Sequence, residues 1–398
     1  MGYSGIRSDG PSRLTAFALG LTRYAPRGAN LVVGVLLIEI GTTFGLPVAV
    51  ANQLNTVHSL LSFATALAMG ILSVRFSMEM LLFTGLSLAL ASATASFLAP
   101  SFPLLLFLYS LNGIAWSLIY PMSVALVGEL FHQKKRAGAL SIIFAVPPII
   151  TVFGSPFISY IGDWRRALLL YAIPIAAISL MLSRITVRVR SARRERVGLA
   201  SAFKAIAANR SALSCMTYFL LNNITWQIVG VLGISFLREQ HHISKEIASL
   251  IYSGFAIAVF VGALSGGKIV ERFGRKTSTV SVTIAYGLST ILFAEVPNPL
   301  VAAALGILSC LLAGLRQPAA NSLTVEQIPT MRGPLMSLTQ ASDNIGGMIG
   351  AAVAGLLLLS FGWVTCGVLL ASAALVASII LQALAKDPMT ITLNCSVS

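Results

Sequence analysis

A chain of 398 residues that is 56% hydrophobic and only 10% charged, with a mean hydropathy of +0.86, cannot cover a water-facing surface, because soluble domains carry about 25% charged residues. Its solvent is lipid. The net charge of +14 does not indicate a nucleic-acid partner, since the basic residues gather in short segments between apolar runs and no groove-reading module is visible.

Residues 1–29 carry Arg7, Arg13, Arg23 and Arg27 and read as a cytoplasmic N-terminal segment. Leu14, Phe17, Ala18 and Leu21 suit a short amphipathic helix on the membrane surface. The apolar run that follows contains Glu39, which the hydrophobic stretch of a cleavable signal would avoid. Six runs long enough to cross a bilayer lie at about 31–50, 56–74, 80–99, 103–127, 137–160 and 166–183. Six more lie at about 212–235, 246–266, 277–294, 299–323, 334–359 and 363–385. This predicts an all-α membrane protein with twelve transmembrane helices in two pseudo-symmetric six-helix bundles, 30–183 and 212–385. A basic cytoplasmic linker, 184–211, with a surface helix around 199–208, joins them, and a cytoplasmic tail covers 386–398. Roughly twenty-two Lys and Arg fall in segments assigned to the inside and four outside (Arg165, Arg166, Arg238 and Lys245), so both termini are expected in the cytoplasm of a cell-membrane protein.

The hairpin between the eighth and ninth runs, Gly267-Lys268-Ile269-Val270-Glu271-Arg272-Phe273-Gly274-Arg275-Lys276, packs an acid, two glycines and four basic residues into ten positions. It resembles the cytoplasmic signature of the major facilitator superfamily: Gly, three residues, an acid, Arg, any residue, Gly, then basic residues. An echo, Gly70-Ile71-Leu72-Ser73-Val74-Arg75-Phe76-Ser77, lies 197 residues earlier, with Val74 in the acid position and Ser77 in the second Gly position. The same offset relates Pro121 to Pro318 and Glu129 to Glu326. Two parallel repeats of six helices match the architecture this resemblance implies. It also implies gating by Gly70, Arg75, Gly267, Glu271, Arg272, Gly274, Arg275 and Lys276. Glu271, the one acid of the pair of signatures, is expected to dock on the positive end of a neighbouring helix, that of helix 5 by pseudo-symmetry.

Charges inside spans are costly and mark solute or proton paths. Three qualify on this division of the chain: Glu39, Arg316 and Asp343, each about 10–15 Å from the cytoplasmic end of its helix. Superfamily resemblance puts helices 1, 4, 7 and 10 around the cavity, so Glu39 and Arg316 would face the solute, Glu39 as the first candidate for binding a proton or cation and Arg316 for an anionic group or as counter-ion. Asp343 would tune Arg316, close enough to pair with it or to exchange it during proton coupling. Tyr109, Asn112, Trp116 and Tyr120 share one face of helix 4; with Asn222, Asn223 and Gln227 of helix 7 they line a cavity for a flat or amphipathic solute, or else make interhelical hydrogen bonds. Gly262 with Gly266, and Gly346 with Gly350, have the spacing of close helix packing.

The four cysteines, Cys215, Cys310, Cys366 and Cys395, show neither metal spacing nor a disulfide framework. His241-His242 lacks further ligands. With no nucleotide loop, catalytic triad or haem motif, neither an enzyme, a metal, a cofactor nor an ATP-driven pump is expected. Resemblance to drug and metabolite efflux members is partial: Tyr109 stands where their helix 4 carries Arg, and Gly154-Ser155-Pro156 is a loose version of their helix 5 pattern. The expected protein is a monomeric secondary transporter of a small organic solute, coupled to protons and embedded in lipid. A uniporter of the same fold and a non-transporting sensor or scaffold are the alternatives.

Overall fold

The computed structural model describes residues 13–131, 133–186, 206, 208–328 and 332–386. No strand occurs among them. In hydrocarbon every backbone N–H and C=O must be satisfied within the segment, and helices do that.

The first half contains α1 (Arg13–Val35), α2 (Leu37–Phe44), the single turn α3 (Val48–Ala51), α4 (Gln53–Arg75), α5 (Met78–Phe97), α6 (Phe102–Leu130), α7 (Gln133–Ile161), the single turn α8 (Trp164–Ala167) and α9 (Ile173–Thr186). A π-helical turn, Leu168–Ala172, joins the last two. The second half contains α10 (Arg210–Trp226), a π-helical turn at Gln227–Val231, α11 (Gly233–Gln240), α12 (Lys245–Phe273), α13 (Arg275–Glu295), α14 (Pro299–Val325) and α15 (Arg332–Leu384). Gly362, at φ 76°, breaks the last of these. Among the described residues, eight helices are long and apolar enough to cross a membrane, or ten if two bent pairs each count as one span. The bent pairs are α1 with α2 (66°) and the α10 segment with α11 (53°).

Short polar residues set many of the boundaries by capping orphan N–H groups. Asp163 accepts from the Arg166 amide, Asn209 from the Ser211 and Ala212 amides, Ser244 from the Ile247 amide and Asn298 from the Leu300 and Val301 amides. The signature hairpin turns at Gly274, whose φ of 81° suits glycine alone. The first-half echo does without such a turn. Ser77 has φ −70° and accepts the Met80 amide at 3.2 Å, capping α5. A serine is therefore chemically sufficient where the second copy requires glycine.

Sequence reading and structure part at the N-terminus. The expected surface helix is the beginning of α1: Ala18 and Leu21 are buried in the bundle, and the first long helix starts at Arg13 rather than near residue 31. Arg23 and Arg27 lie inside it. Most of the expected linker, and its surface helix, falls outside the described residues.

The glycine pairs pack helices closely. A Cβ on Gly262 would meet the Leu311 carbonyl and the Gly314 backbone of α14, and one on Gly346 would meet the Leu220 carbonyl of α10. Backbone cannot retreat as a side-chain tip can, so Gly262→Leu forces α12 and α14 apart. We expect it to cost several kcal/mol (overpacking alone costs about 1–3 kcal/mol) and to remove the monodisperse peak in size-exclusion chromatography. An unchanged peak and melting temperature would disprove this packing.

The apolar cores are distributed unequally between the two ends of the bundle. At the end where α1 starts and α4 stops, here the basic end, Leu82, Leu86, Ile119 and Ile143 form a cluster within the first half, and Tyr218, Phe219, Leu323 and Leu381 one within the second. Toward the opposite end, here the far end, one cluster takes in both halves, including Leu36, Leu37 and Trp164 with Leu232, Phe236 and Phe293.

Candidate functional site

At the far end the halves are tied by polar contacts as well as apolar ones. Arg238 of α11 donates through both terminal nitrogens to the two carboxylate oxygens of Glu39 on α2, at 2.9 and 2.8 Å. Asn52 Nδ2 donates to the Ala351 carbonyl at 2.9 Å, Ser253 Oγ to the Val152 carbonyl at 2.8 Å and Ser155 Oγ to the Ser249 carbonyl at 3.2 Å. Two tryptophans hold the bent segments that carry the ion pair: Trp164 Nε1 donates to Thr43 Oγ1 and Trp363 Nε1 to Glu239 Oε2, both at 3.0 Å.

This corrects the expected position of Glu39. The α1–α2 unit starts at Arg13, so Glu39 lies roughly 39 Å along it from the basic end, not 10–15 Å. It is fixed in a bidentate pair instead of facing a lumen alone. Two arginines interrupt the apolar pattern and hide the first third of the helix. Arg238, assigned only to an outer segment, is the partner that sequence reading missed.

Midway along the first half, Asn30 of α1 organises a polar knot. Its Oδ1 accepts from Tyr109 Oη at 2.7 Å and from Asn112 Nδ2 at 2.6 Å, and its Nδ2 lies 3.4 Å from His58 Nε2. Tyr109 and Asn112 are 1% and 0% exposed. They bind helix to helix rather than lining a cavity, so the helix 4 face divides. Its other members meet cations. Trp116 and Tyr120 lie 5.4 Å apart between ring centroids. Arg23 sits 4.3 Å from the centroids of both Tyr120 and Phe144, and Arg27 sits 5.2 Å over Trp116. Sequence reading places neither arginine in a span. The signal for them is present: four residues apart within Leu14–Val35, they share one face of an otherwise apolar stretch.

In the second half, Arg316 is buried with its guanidinium 4.9 Å from the Tyr286 ring centroid. Asp343, half-buried on α15, lies within electrostatic range of it. The expected direct pair is not made: the ion pairs among the described residues are Arg238–Glu39 and Arg275–Glu326. Asn223 Nδ2 donates to the Asp343 carbonyl at 2.7 Å, and Asn222 Nδ2 to the Tyr218 carbonyl at 3.0 Å. Asn222 Oδ1 and Gln227 Oε1 are buried without a partner, Gln227 at the start of the π-helical turn.

At the basic end, Arg275 pairs with Glu326, which follows α14. The signature thus ties its hairpin to the next pair of helices within the second half. Arg272 lies over Phe273, Arg75 is exposed and Lys276 half-buried. Gly70, Gly267 and Glu271 lie within helices, but the Glu271 side chain, and with it the expected docking on helix 5, lies outside what is described.

The Major Facilitator Superfamily profile matches residues 14–237 and 216–391. The MFS-type transporter YwfA of Bacillus subtilis (strain 168) is 23% identical over 376 residues, covering 90% of this chain and 89% of that one. The multidrug efflux pump LfrA of Mycolicibacterium smegmatis is 26% identical over 414 residues, covering 84% and 80%. The crystal structure of a point mutant of the nucleoside transporter NupG superposes with a TM-score of 0.77 at 17% identity, covering 94% of this chain and all of that one. A helical body matched by the family profile along nearly its whole length is a multi-pass membrane transporter: the chain belongs to the major facilitator superfamily.

Proposed function

We propose that this chain moves a small organic solute across the cell membrane by alternating access and that protons drive it. The observation that carries the reading is the unequal joining of the halves. Toward the far end they share one apolar core and the Glu39–Arg238 pair, while clusters toward the basic end each belong to one half. A body hinged in this way is suited to rocking between two states. The basic end is the cytoplasmic one, by the excess of Lys and Arg in its segments. The chain crosses the bilayer twelve times, with α4 counted as a span and α15 divided at Gly362.

Asp343 is the proton carrier. Among the acids in the described spans, Glu39 is engaged in a bidentate pair, whereas Asp343 has no direct ion pair and has Arg316 within reach. The protein is reconstituted in liposomes and solute uptake is followed under a pH gradient imposed in either direction. Accumulation above equilibrium supports coupling. Transport that ignores the gradient makes the protein a uniporter, and the absence of transport for any bound solute makes it a sensor.

A further inference from the structure

We infer that the face formed by Arg27, Trp116 and Tyr120, backed by Arg23, binds a flat organic monoanion, an aromatic carboxylate. The inference rests on the transport reading above and names the class of solute it would move. Arg23 and Arg27 stand four residues apart on α1, close enough to repel one another. Neither forms an ion pair among the described residues. Arg23 is 6% exposed, and its Nε and Nη1 are buried with no hydrogen-bond partner. Its charge is offset in part by the two rings on either side, Tyr120 and Phe144.

Arg27 differs in being exposed, although it is roughly 21 Å along the helix from Arg13. It lies over Trp116 of α6 in its own half, and Tyr252 of α12 in the other half lies within its electrostatic reach. The guanidinium therefore lies on the side of α1 nearer the second half. An accessible guanidinium in such a place offers a carboxylate two parallel charge-assisted hydrogen bonds. Trp116 and Tyr120, tilted by 40° to one another, present an aromatic wall beside it for a planar body. One accessible cation with a second held behind it suits a single negative charge, and a cationic solute would meet two like charges that no ion pair among the described residues offsets.

The test uses the purified full-length chain in detergent, where binding needs no gradient. Equilibrium binding is measured calorimetrically for benzoate, its neutral isostere benzamide, the cation benzylammonium, and acetate, which keeps the carboxylate without the ring. Benzoate is expected to bind saturably, with acetate and benzamide at least tenfold weaker and benzylammonium not bound. Arg27→Gln should weaken benzoate at least tenfold and Arg27→Lys should recover part of the loss. Benzamide or benzylammonium binding as well as benzoate, or no binding of benzoate, overturns the assignment without reference to any variant. Benzoate binding without uptake in liposomes would remove the transport reading and leave the site. Uptake of a neutral or cationic solute by a protein that ignores benzoate would do the reverse.

Discussion

Arg238→Ala will release the far end of the molecule. The Glu39–Arg238 pair is bidentate, its side chains are only 22% and 16% exposed, and it joins near-equivalent positions of the two bent helices that open each half. Exposed ion pairs contribute little, but a partly buried one with two good hydrogen bonds is worth more: hydrogen bonds to charged groups contribute about 1.5–3 kcal/mol. Loss of about 2 kcal/mol from the closed state moves the equilibrium roughly thirty-fold toward far-end opening. The readout is a cysteine at Ser253, which is 7% exposed and bonded across the interface to Val152, in a background with Cys395→Ser; the other three cysteines are buried. Labelling of Ser253→Cys by a hydrophilic maleimide should accelerate at least tenfold in Arg238→Ala and in Glu39→Ala. The exchanged pair, Glu39→Arg with Arg238→Glu, should slow it again. Equal rates in all four proteins would mean that the apolar cluster alone holds the far end shut.

The same pair shows what can be read from local pattern and what cannot. Long apolar runs, capping residues such as Asn209 and Ser244, and the Gly274 turn follow from one-dimensional rules, because their causes lie within a few residues. Nearly all the helices fall close to the predicted runs for that reason. The exception is α1, where Arg23 and Arg27 lower the hydropathy of a continuous helix; their compensating rings, Trp116, Tyr120 and Phe144, come from α6 and α7, some 90 to 120 residues away. A buried cation can be recognised from sequence only if its partners can be, and these partners are brought together by the fold. Misplacing the start of α1 in turn moves Glu39 to the wrong depth and separates it from Arg238. The Arg275–Glu326 pair illustrates the intermediate case. Both residues stand out in the sequence, Arg275 in the signature and Glu326 through the internal repeat, yet nothing in their spacing joins them. The helix 4 face divides for a similar reason: its spacing puts Tyr109, Asn112, Trp116 and Tyr120 on one side, but Asn30 captures the first two.

Asp343→Asn separates driving force from binding. The acid is half-buried on α15, its carbonyl is held by Asn223, and Arg316 is near without closing on it. Such a carboxylate can exchange a proton at one state of the cycle and interact with the arginine at another. Asparagine keeps the shape and removes the exchangeable proton. One pH unit supplies about 1.4 kcal/mol per proton moved, so coupling at one proton per solute sustains a concentration ratio of up to about tenfold. In liposomes with a gradient of one unit, the wild-type protein is expected to approach that ratio and Asp343→Asn to stop at equilibration, while solute–solute exchange under equal pH continues at a similar rate. Asp343→Glu should restore some accumulation, because it returns the acid at slightly longer reach. If Asp343→Asn still accumulates solute against the gradient, the proton travels elsewhere. If exchange is lost together with accumulation while the variant still binds solute and elutes normally, Asp343 serves the conformational cycle itself, through Arg316, rather than the coupling.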